Sequence, residues 1–311
     1  MATLTATPTR WSVHTGGVVL ALAGAIAFSG KAIIVKLSYR YGVDAVTVIM
    51  YRMLMALPFF LAISWWSSKQ AHAQANPLNT RDAFAIAGLG FLGYYLASYL
   101  DFLGLQTITA SLERLILYLN PTLVLLLSSL IYKHPIHLRR ALAMAISYCG
   151  VLVVFAHELN LSGPGVAVGS AYVLASAFSY ALYLMFSGQM VKRIGAWRLV
   201  GLASSVACLC CLLQFAILKP MSAALVPPQV LWLALLNATA CTVAPVLLVM
   251  LAIERIGAAL TSQVGMVGPM ATLTLGVWVL GEPLNMWIGL GTLLVLGGVY
   301  VASQTGEKTW T

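Results

Sequence analysis

Five charged side chains lie inside long apolar tracts of the sequence, where charge is costly: Lys31, Arg52, Asp101, Glu113 and Arg114. Charged groups in such surroundings pair with one another or line the path of a substrate or an ion. Asp101 and Glu113 could pair with Arg52, Arg114 or Lys31 as a gate, or these charges could meet the two ends of a zwitterionic ligand. Fixed structural ion pairs, with the lysine extending toward a polar interface, are the alternative.

Tyrosines and uncharged polar residues recur in the same tracts at helical spacing. Those predicted to line a cavity together with Lys31 are Tyr94, Ser98, Tyr99, Tyr118, Tyr180, Tyr183, Asn237, Ser262 and Gln263. Residues three or four positions apart share one face of a helix, as Tyr94 and Ser98 do with Asp101. Hydroxyl-bearing rings offer stacking and hydrogen bonds to an aromatic or amphipathic ligand. Packing and hydrogen bonding between helices are the competing interpretation.

Two prolines, Pro121 and Pro269, fall near the middle of apolar tracts. Proline lacks an N–H group and displaces the carbonyl four residues earlier, which here belongs to Leu117 or Gly265. In lipid such a carbonyl needs a partner from the protein or from a water-filled cavity. We predict that the two prolines are hinges, with a simple packing kink as the alternative.

The composition is that of an integral membrane protein. Hydrophobic residues make up 61% of the 311 residues, charged residues 8%, and the mean hydropathy is +0.93, whereas soluble domains carry roughly 25% charged residues. The five cysteines lack metal-ligand spacing, and His-Glu-x-x-His, Walker and Gly-x-Ser-x-Gly motifs are missing from the sequence. We therefore expect no enzyme activity, no metal or cofactor, and neither ATP nor nucleic acid as a partner.

Ten tracts are long enough for a membrane helix, which needs about 20 residues. They are residues 15–38, 44–66, 82–104, 107–131, 138–156, 164–187, 196–217, 229–251, 257–280 and 284–303. Residues 1–14 are predicted to be a cytoplasmic tail before an uncleaved first helix, and residues 304–311 a second cytoplasmic tail. Helices 1–5 occupy residues 15–157, and helices 6–10 occupy residues 164–303.

The two halves of the chain are related by an offset of about 148 residues, the separation of Pro121 from Pro269 and of Pro135 from Pro283. Since each half has an odd number of helices, the second half enters the membrane in the opposite sense. We therefore predict an all-α membrane protein of ten transmembrane helices, built as two inverted five-helix repeats around a central cavity. Transporters use this architecture and bind substrate near the midplane.

The placement of lysine and arginine predicts the orientation. With the N-terminus in the cytoplasm, eleven of the seventeen basic residues fall on the cytoplasmic side and three on the opposite side. Basic residues concentrate in cytoplasmic loops of membrane proteins. Both termini are therefore predicted to be cytoplasmic.

Several motifs resemble those of the drug/metabolite transporter superfamily, in its EamA-type ten-helix branch. They are the run from Ala110 to Pro121 (ASLERLILYLNP), the Gly281-Glu282-Pro283 triplet, and the glycines Gly150 and Gly297-Gly298. The overall pattern is most similar to the YddG-type amino-acid exporters. The resemblance implies a basket of ten helices, a bacterial inner-membrane location and outward movement of small metabolites. One departure is that His134 stands where the first half would match Glu282.

Together these features predict an exporter of small, largely apolar metabolites, most of all aromatic and other neutral amino acids, that works by alternating access. Its partners are a small-molecule substrate and the lipid bilayer, and the oligomeric state is left open. The sequence places no carboxylate at mid-depth, which favours facilitated diffusion. The alternatives are a proton-coupled multidrug efflux pump, in which Glu113 or Asp101 would titrate, and a membrane enzyme or receptor.

Overall fold

The computed structural model describes residues 10–70, 76–133, 138–265 and 267–304. Seven helices in the first half are α1 (Arg10–Tyr39), α2 (Ala45–Ser68), α3 (Thr80–Gly90), α4 (Ala97–Gly104), α5 (Ala110–Leu117), α6 (Asn120–Tyr132) and α7 (Leu138–Ser162). Six follow in the second half: α8 (Gly165–Ile194), α9 (Ala196–Leu218), α10 (Pro228–Ala238), α11 (Ala244–Gly265), α12 (Gly268–Leu275) and α13 (Met286–Gln304). The prediction of an all-helical membrane protein is confirmed.

Eight helical stretches in the described residues are long and apolar enough to cross a membrane. They are His14–Tyr39, Ala45–Ser68, Thr80–Gly104, Ala110–Ile131, Ala141–Asn160, Gly165–Ile194, Ala196–Leu218 and Pro228–Ile253. Two further apolar helices, Gly268–Leu280 and Met286–Val301, are shorter. The main difference from the predicted boundaries lies at 252–256, where the sequence predicted a connection and helix α11 continues to Gly265. This stretch contains no proline, and Glu254 and Arg255 are good helix formers.

Three π-helical segments interrupt the regular helices. Phe91–Leu96 joins α3 to α4, Thr239–Val243 joins α10 to α11, and Gly276–Leu280 extends α12. The first two segments begin at Phe91 and Thr239, which are separated by the same offset of 148 residues that relates the two halves of the sequence. The helix ends at Leu117 and Gly265 are separated by the same offset, as are the helix starts at Asn120 and Gly268. The local backbone geometry therefore repeats along the chain together with the sequence.

Glycines allow helices α7 and α13 to approach each other closely. A Cβ atom on Gly150 would lie 2.7 Å from the Gly291 carbonyl oxygen, and one on Gly298 would lie 2.5 Å from that of Ala143. Small residues at such positions let membrane helices pack backbone to backbone. The two contacts are related by the sequence offset, because Gly150 corresponds to Gly298 and Ala143 to Gly291.

Candidate functional site

A buried cluster of three charged side chains joins helices α1, α4 and α5. The Lys31 Nζ atom lies 2.6 Å from Asp101 Oδ2 and 3.5 Å from Glu113 Oε1. Lys31 is 7% exposed, and the two carboxylates are almost fully enclosed. Asp101 therefore takes the short hydrogen bond with the lysine, whereas Glu113 is held by a longer ion pair without hydrogen-bond geometry.

Arg114 lies next to this cluster but binds neutral groups. Its Nε atom donates to Thr272 Oγ1 at 2.9 Å, and its Nη2 atom donates to the Phe28 carbonyl oxygen at 3.1 Å. Thr272 in turn donates to the Gly268 carbonyl at 3.2 Å. The arginine thus connects α5 to α12 and α1. Of the three cations that the sequence offered as partners of Asp101 and Glu113, Lys31 takes that role within the described residues.

Arg52 forms a separate site on helix α2. Its Nη2 atom donates to Ser98 Oγ at 2.9 Å, and its guanidinium lies 4.7 Å from the centre of the Phe102 ring. Its Nε atom is buried and has no hydrogen-bond partner among the described residues. Arg52, one of the three cations offered as partners of the carboxylates, thus contacts a ring and a hydroxyl.

Phe28 is a site residue that the sequence analysis missed. Its ring centre lies 5.5 Å from Lys31 Nζ and 5.5 Å from the Arg114 guanidinium carbon. The side chain is nevertheless 41% exposed, so one side of the ring remains accessible beside two buried cations. The spacing of three residues between Phe28 and Lys31, which places them on one helical face, was the available signal.

Helix α1 is enclosed at one end and open at the other. From Ser29 to Val35 every residue except Gly30 is buried, whereas Val19, Ile26 and Phe28 expose large apolar side chains. The cluster around Lys31 lies where the enclosed part begins.

Beyond the enclosed part of α1, polar contacts made by Glu282, Lys36 and Arg40 connect neighbouring segments of the chain. We call this group of contacts the end seal. Glu282 accepts hydrogen bonds from the backbone nitrogens of Ala110, at 2.7 Å, and Ser111, at 3.3 Å, and from Ser111 Oγ at 2.8 Å. The carboxylate thus caps the N-terminus of α5, where a negative charge is favoured. Gly281 makes this possible because it adopts a left-handed backbone conformation with φ of 71°, which glycine tolerates best.

Two basic residues complete the end seal: Lys36 in the last turns of α1, and Arg40 directly after the end of α1. Lys36 Nζ donates to the Ile108 carbonyl at 2.5 Å, and Arg40 Nη2 donates to the Leu280 carbonyl at 2.7 Å. Glu158 on helix α7 accepts a hydrogen bond from the Thr109 hydroxyl. A cavity of about 340 Å³ lies over these contacts and is lined in part by Lys36, Arg40 and Thr109. The sequence analysis named Glu282 only as part of a motif, because its partners are far away along the chain.

The family model for EamA-like transporters matches residues 15–156 and again residues 167–304. The chain belongs to the EamA-like transporter family. This family is part of the drug/metabolite transporter superfamily, and the chain is a multi-pass membrane transporter.

Relatives with curated names support this membership. The chain is 28% identical to the uncharacterized transporter YcbK of Bacillus subtilis (strain 168), over 94% of this chain and 95% of the relative. It is 24% identical to the uncharacterized transporter YoaV of the same organism, over 81% of this chain and 85% of that protein. A chain in a crystal structure has a similar fold, with a TM-score of 0.61 and 15% identity, over 96% of this chain and 99% of that one.

In this EamA-like transporter the predicted hinge prolines lie at helix starts. Pro121 and Pro269 are in the first turns of α6 and α12, and not inside continuous helices. Proline is well tolerated there because the first N–H groups of a helix have no intrahelical partner. The Gly265 carbonyl accepts a 2.5 Å hydrogen bond from the Tyr118 hydroxyl. The hydrogen bond between Tyr118 and Gly265 therefore connects the helix break before Pro121 to the helix break before Pro269.

The predicted tyrosines divide into two groups in the transporter. The hydroxyls of Tyr94 and Tyr183 are 3.1 Å apart, and the Tyr183 ring stacks on Tyr180 at 5.6 Å. Tyr99 instead stacks on Tyr95, with ring centres 6.3 Å apart. The structure therefore assembles Tyr94, Tyr180 and Tyr183 between the first π-helical segment and α8, and places Tyr99 elsewhere.

The remaining predicted polar residues come from the second half of the transporter. Asn237 is 1% exposed, and neither polar atom of its side chain has a hydrogen-bond partner within the described ranges. Ser262 and Gln263 belong to helix α11, and their side chains lie outside the described part of the structure. Asn237 is therefore a buried amide with free hydrogen-bonding capacity.

Proposed function

We propose that this transporter exports neutral amino acids, with a preference for aromatic ones, across the bacterial inner membrane. The observation that carries the proposal is the exposed ring of Phe28, which lies 5.5 Å from each of two buried cations, Lys31 and Arg114. A ring beside a cation suits a ligand that has both an aromatic part and a carboxylate. This combination defines an aromatic amino acid.

Charge balance in the buried site favours a zwitterion. Lys31 is paired with Asp101, while the hydrogen bonds of Arg114 within the described residues go to Thr272 and to a backbone carbonyl. A buried cation without a carboxylate partner is costly, and a ligand carboxylate at Arg114 would offset that cost. Both oxygens of Glu113 lack hydrogen-bond donors among the described residues. They would accept the ammonium group of the same ligand.

The transport mechanism that we propose is alternating access between two inverted five-helix repeats, which together make ten transmembrane helices. The family model matches the chain twice. Two of the three π-helical segments, the helix breaks and the close glycine contacts repeat at the same sequence offset. The breaks before Pro121 and Pro269, linked by Tyr118, are the proposed hinges. In this scheme Tyr94, Tyr180 and Tyr183 line the path of the ligand.

The orientation follows from the basic residues, with both termini in the cytoplasm. On this topology the end seal lies on the outer side, and the open part of α1 faces the cytoplasm. We propose that this arrangement is an inward-open state, in which substrate enters from the cytoplasmic side. An exporter should bind its substrate in this state.

Counterflow of radiolabelled phenylalanine, tyrosine and leucine in proteoliposomes tests the proposal. We expect exchange of all three, with the aromatic pair preferred. Arg114→Gln should lower the specificity constant about 10- to 100-fold, since a hydrogen bond to a charged group is worth about 1.5–3 kcal/mol. Phe28→Ala should lower it about 3- to 10-fold for phenylalanine and less for leucine. The absence of exchange for all three amino acids would exclude the proposed substrate class.

A matched control separates site effects from effects on the fold. Phe84 on helix α3 is 76% exposed and lies outside the site, so Phe84→Ala removes the same side chain from a surface position. This variant should exchange phenylalanine at the wild-type rate. An equal loss of exchange in Phe28→Ala and Phe84→Ala would show that the loss reflects altered folding.

A proton-coupled multidrug efflux pump is the second candidate function. The observation that favours it is the buried pair of carboxylates, Asp101 and Glu113, whose unpartnered oxygens would also accept an organic cation. Flux of a cationic dye in the same proteoliposomes distinguishes the two functions. Dye transport that is lost in Glu113→Gln, without amino-acid exchange in the wild type, would favour the pump.

A further inference from the structure

We propose that the cavity at the end seal is a second binding site, which takes a small zwitterion such as a neutral α-amino acid. The cavity has a volume of about 340 Å³, and Lys36, Arg40 and Glu282 are among its lining residues. Pockets for small molecules begin at about this size. The site stands on the contacts around the cavity. Its occupation by the transported amino acid, from the outer side, rests on the proposed function.

Lys36 and Arg40 bring positive charge to the cavity. Each donates to a backbone carbonyl, Lys36 to that of Ile108 and Arg40 to that of Leu280. Within the described residues neither cation has a carboxylate oxygen inside 4.0 Å. A lysine has three N–H donors and an arginine has five, so these two side chains keep donors for a ligand. Donors of this kind bind a carboxylate or a phosphate strongly.

Glu282 brings the opposite charge to the same lining. Its oxygens accept three hydrogen bonds, from Ala110 N, Ser111 N and Ser111 Oγ. A carboxylate has about four acceptor positions, so one position is left for the ammonium group of a ligand. A phosphate or a dicarboxylate would instead bring further negative charge toward Glu282, and such like-charge contacts are costly.

The charges around the cavity balance one another. A second carboxylate, Glu158, accepts from the hydroxyl of Thr109, which also lines the cavity. Two cations, Lys36 and Arg40, therefore face two carboxylates without forming ion pairs with them among the described residues. A ligand without net charge preserves this balance, and a zwitterion also supplies each side with an opposite charge.

The rest of the lining suits the side chain of a neutral amino acid. Tyr39, Leu105 and Leu280 add apolar surface to the cavity. The Tyr39 hydroxyl donates to the Phe102 carbonyl at 2.6 Å, which holds the ring in place. Gln106 is exposed at the same cavity, so that the site is open to water. Leucine and phenylalanine have the required combination of two charges and an apolar side chain.

Protection of one introduced thiol from labelling tests the site. Because Gln106 is exposed and lines the cavity, Gln106→Cys should react with a membrane-impermeant maleimide beyond the labelling of the wild type. Leucine should slow this reaction. N-acetylleucine and leucine methyl ester each lack one of the two charges and should protect at least about tenfold less well. Thr107→Cys is the matched control, because Thr107 is exposed in the same loop but does not line the cavity, and leucine should leave its labelling unchanged.

Charge variants in the Gln106→Cys background identify the ligand contacts. Arg40→Gln should raise the leucine concentration for half protection about 10- to 100-fold, because a charge-assisted hydrogen bond is lost. Arg40→Lys keeps the positive charge and should restore part of the affinity. Arg81→Gln removes an exposed arginine outside the lining and should have no effect. Equal shifts for Arg40→Gln and Arg81→Gln would overturn the inference, as would a thiol at position 106 that leucine does not protect or the reagent does not reach.

Arg114→Gln in the same background separates this site from the charged cluster around Lys31. Arg114 does not line the cavity, so leucine should protect at the same concentrations as before. A shift as large as that of Arg40→Gln would show that leucine acts through the cluster, and would refute a second site. If leucine protects but no amino acid is exchanged in proteoliposomes, the site stands and the proposed function fails. If amino acids are exchanged without protection, the proposed function stands and the second site is refuted.

Discussion

Replacing Glu282 by glutamine should destabilise the transporter more than replacing any exposed helix cap. The carboxylate accepts three hydrogen bonds, from Ala110 N, Ser111 N and Ser111 Oγ. Glutamine keeps one acceptor oxygen but loses the charge and the second acceptor, which leaves a buried donor without a partner. Loss of charge assistance costs about 1 kcal/mol and an unsatisfied donor about 1–3 kcal/mol, so we expect a total of about 2–4 kcal/mol.

Thermal unfolding in detergent, followed by the fluorescence of the eight tryptophans, measures this loss. For a chain of this size about 2–3 °C is lost per kcal/mol, so the midpoint should fall by roughly 4–12 °C. Asp44→Asn is the matched control, because Asp44 caps α2 through Val46 N and Thr47 N but its side chain is 36% exposed. Its loss should be about 0–1 kcal/mol, because asparagine caps a helix about as well as aspartate and the substitution removes a partly exposed ion pair with Lys219. Equal midpoints for the two variants would refute the assignment of Glu282 as a buried cap between the halves.

Further predictions concern single contacts. Gly298→Ala should lower the unfolding midpoint strongly, because its Cβ would lie 2.5 Å from the Ala143 carbonyl oxygen. Gly297→Ala should be neutral, because a Cβ at Gly297 would meet no atom within 4 Å. Equal effects of the two substitutions would contradict the close packing of α7 on α13. Tyr118→Phe removes the hydroxyl that donates to Gly265 and should cost about 1–3 kcal/mol in the same unfolding assay, and an unchanged midpoint would show that another group satisfies this carbonyl. The pKa of Asp44 is raised by burial but lowered more by hydrogen bonds from Thr47 and Lys219, so the net direction is down. Its stabilising effect should therefore be present above the unfolded-state pKa and disappear as the pH falls through the folded-state pKa; Asp44→Asn should lack this acid-dependent component, and identical pH profiles would argue against it.

The helical membrane class was accessible from the sequence because long apolar tracts have few other structures available to them. The first-half helix boundaries followed from clear interruptions, such as the polar segment before Thr80. The connection at 252–256 was harder to place, because Glu254 and Arg255 read as a polar turn and yet continue helix α11. Local residue types do not reveal whether two charged residues end a helix or lie on its polar side.

The charged site was predictable in its members but not in its pairings. Lys31, Asp101 and Glu113 were candidates because charge is rare in apolar tracts, and the structure brings them together. The sequence left Arg52, Arg114 and Lys31 as alternative partners of the two carboxylates. Lys31 takes that role, and rings and hydroxyls contact the two arginines. Glu282 was undervalued because its role depends on the backbone of Ala110 and Ser111, and a backbone donor leaves no signal in the residue types.

The π-helical segments at Phe91–Leu96 and Thr239–Val243 bear on the history of the chain. A π-helical turn holds more residues than an α-helical turn, as an inserted residue would produce. Two such insertions at equivalent positions are accounted for by one event in an ancestral half-length protein that was later duplicated. Glu113 and Arg114 have Thr261 and Ser262 at the matching positions of the second half. The widened helical turns thus recur at matching positions of the two halves, whereas Glu113 and Arg114 do not.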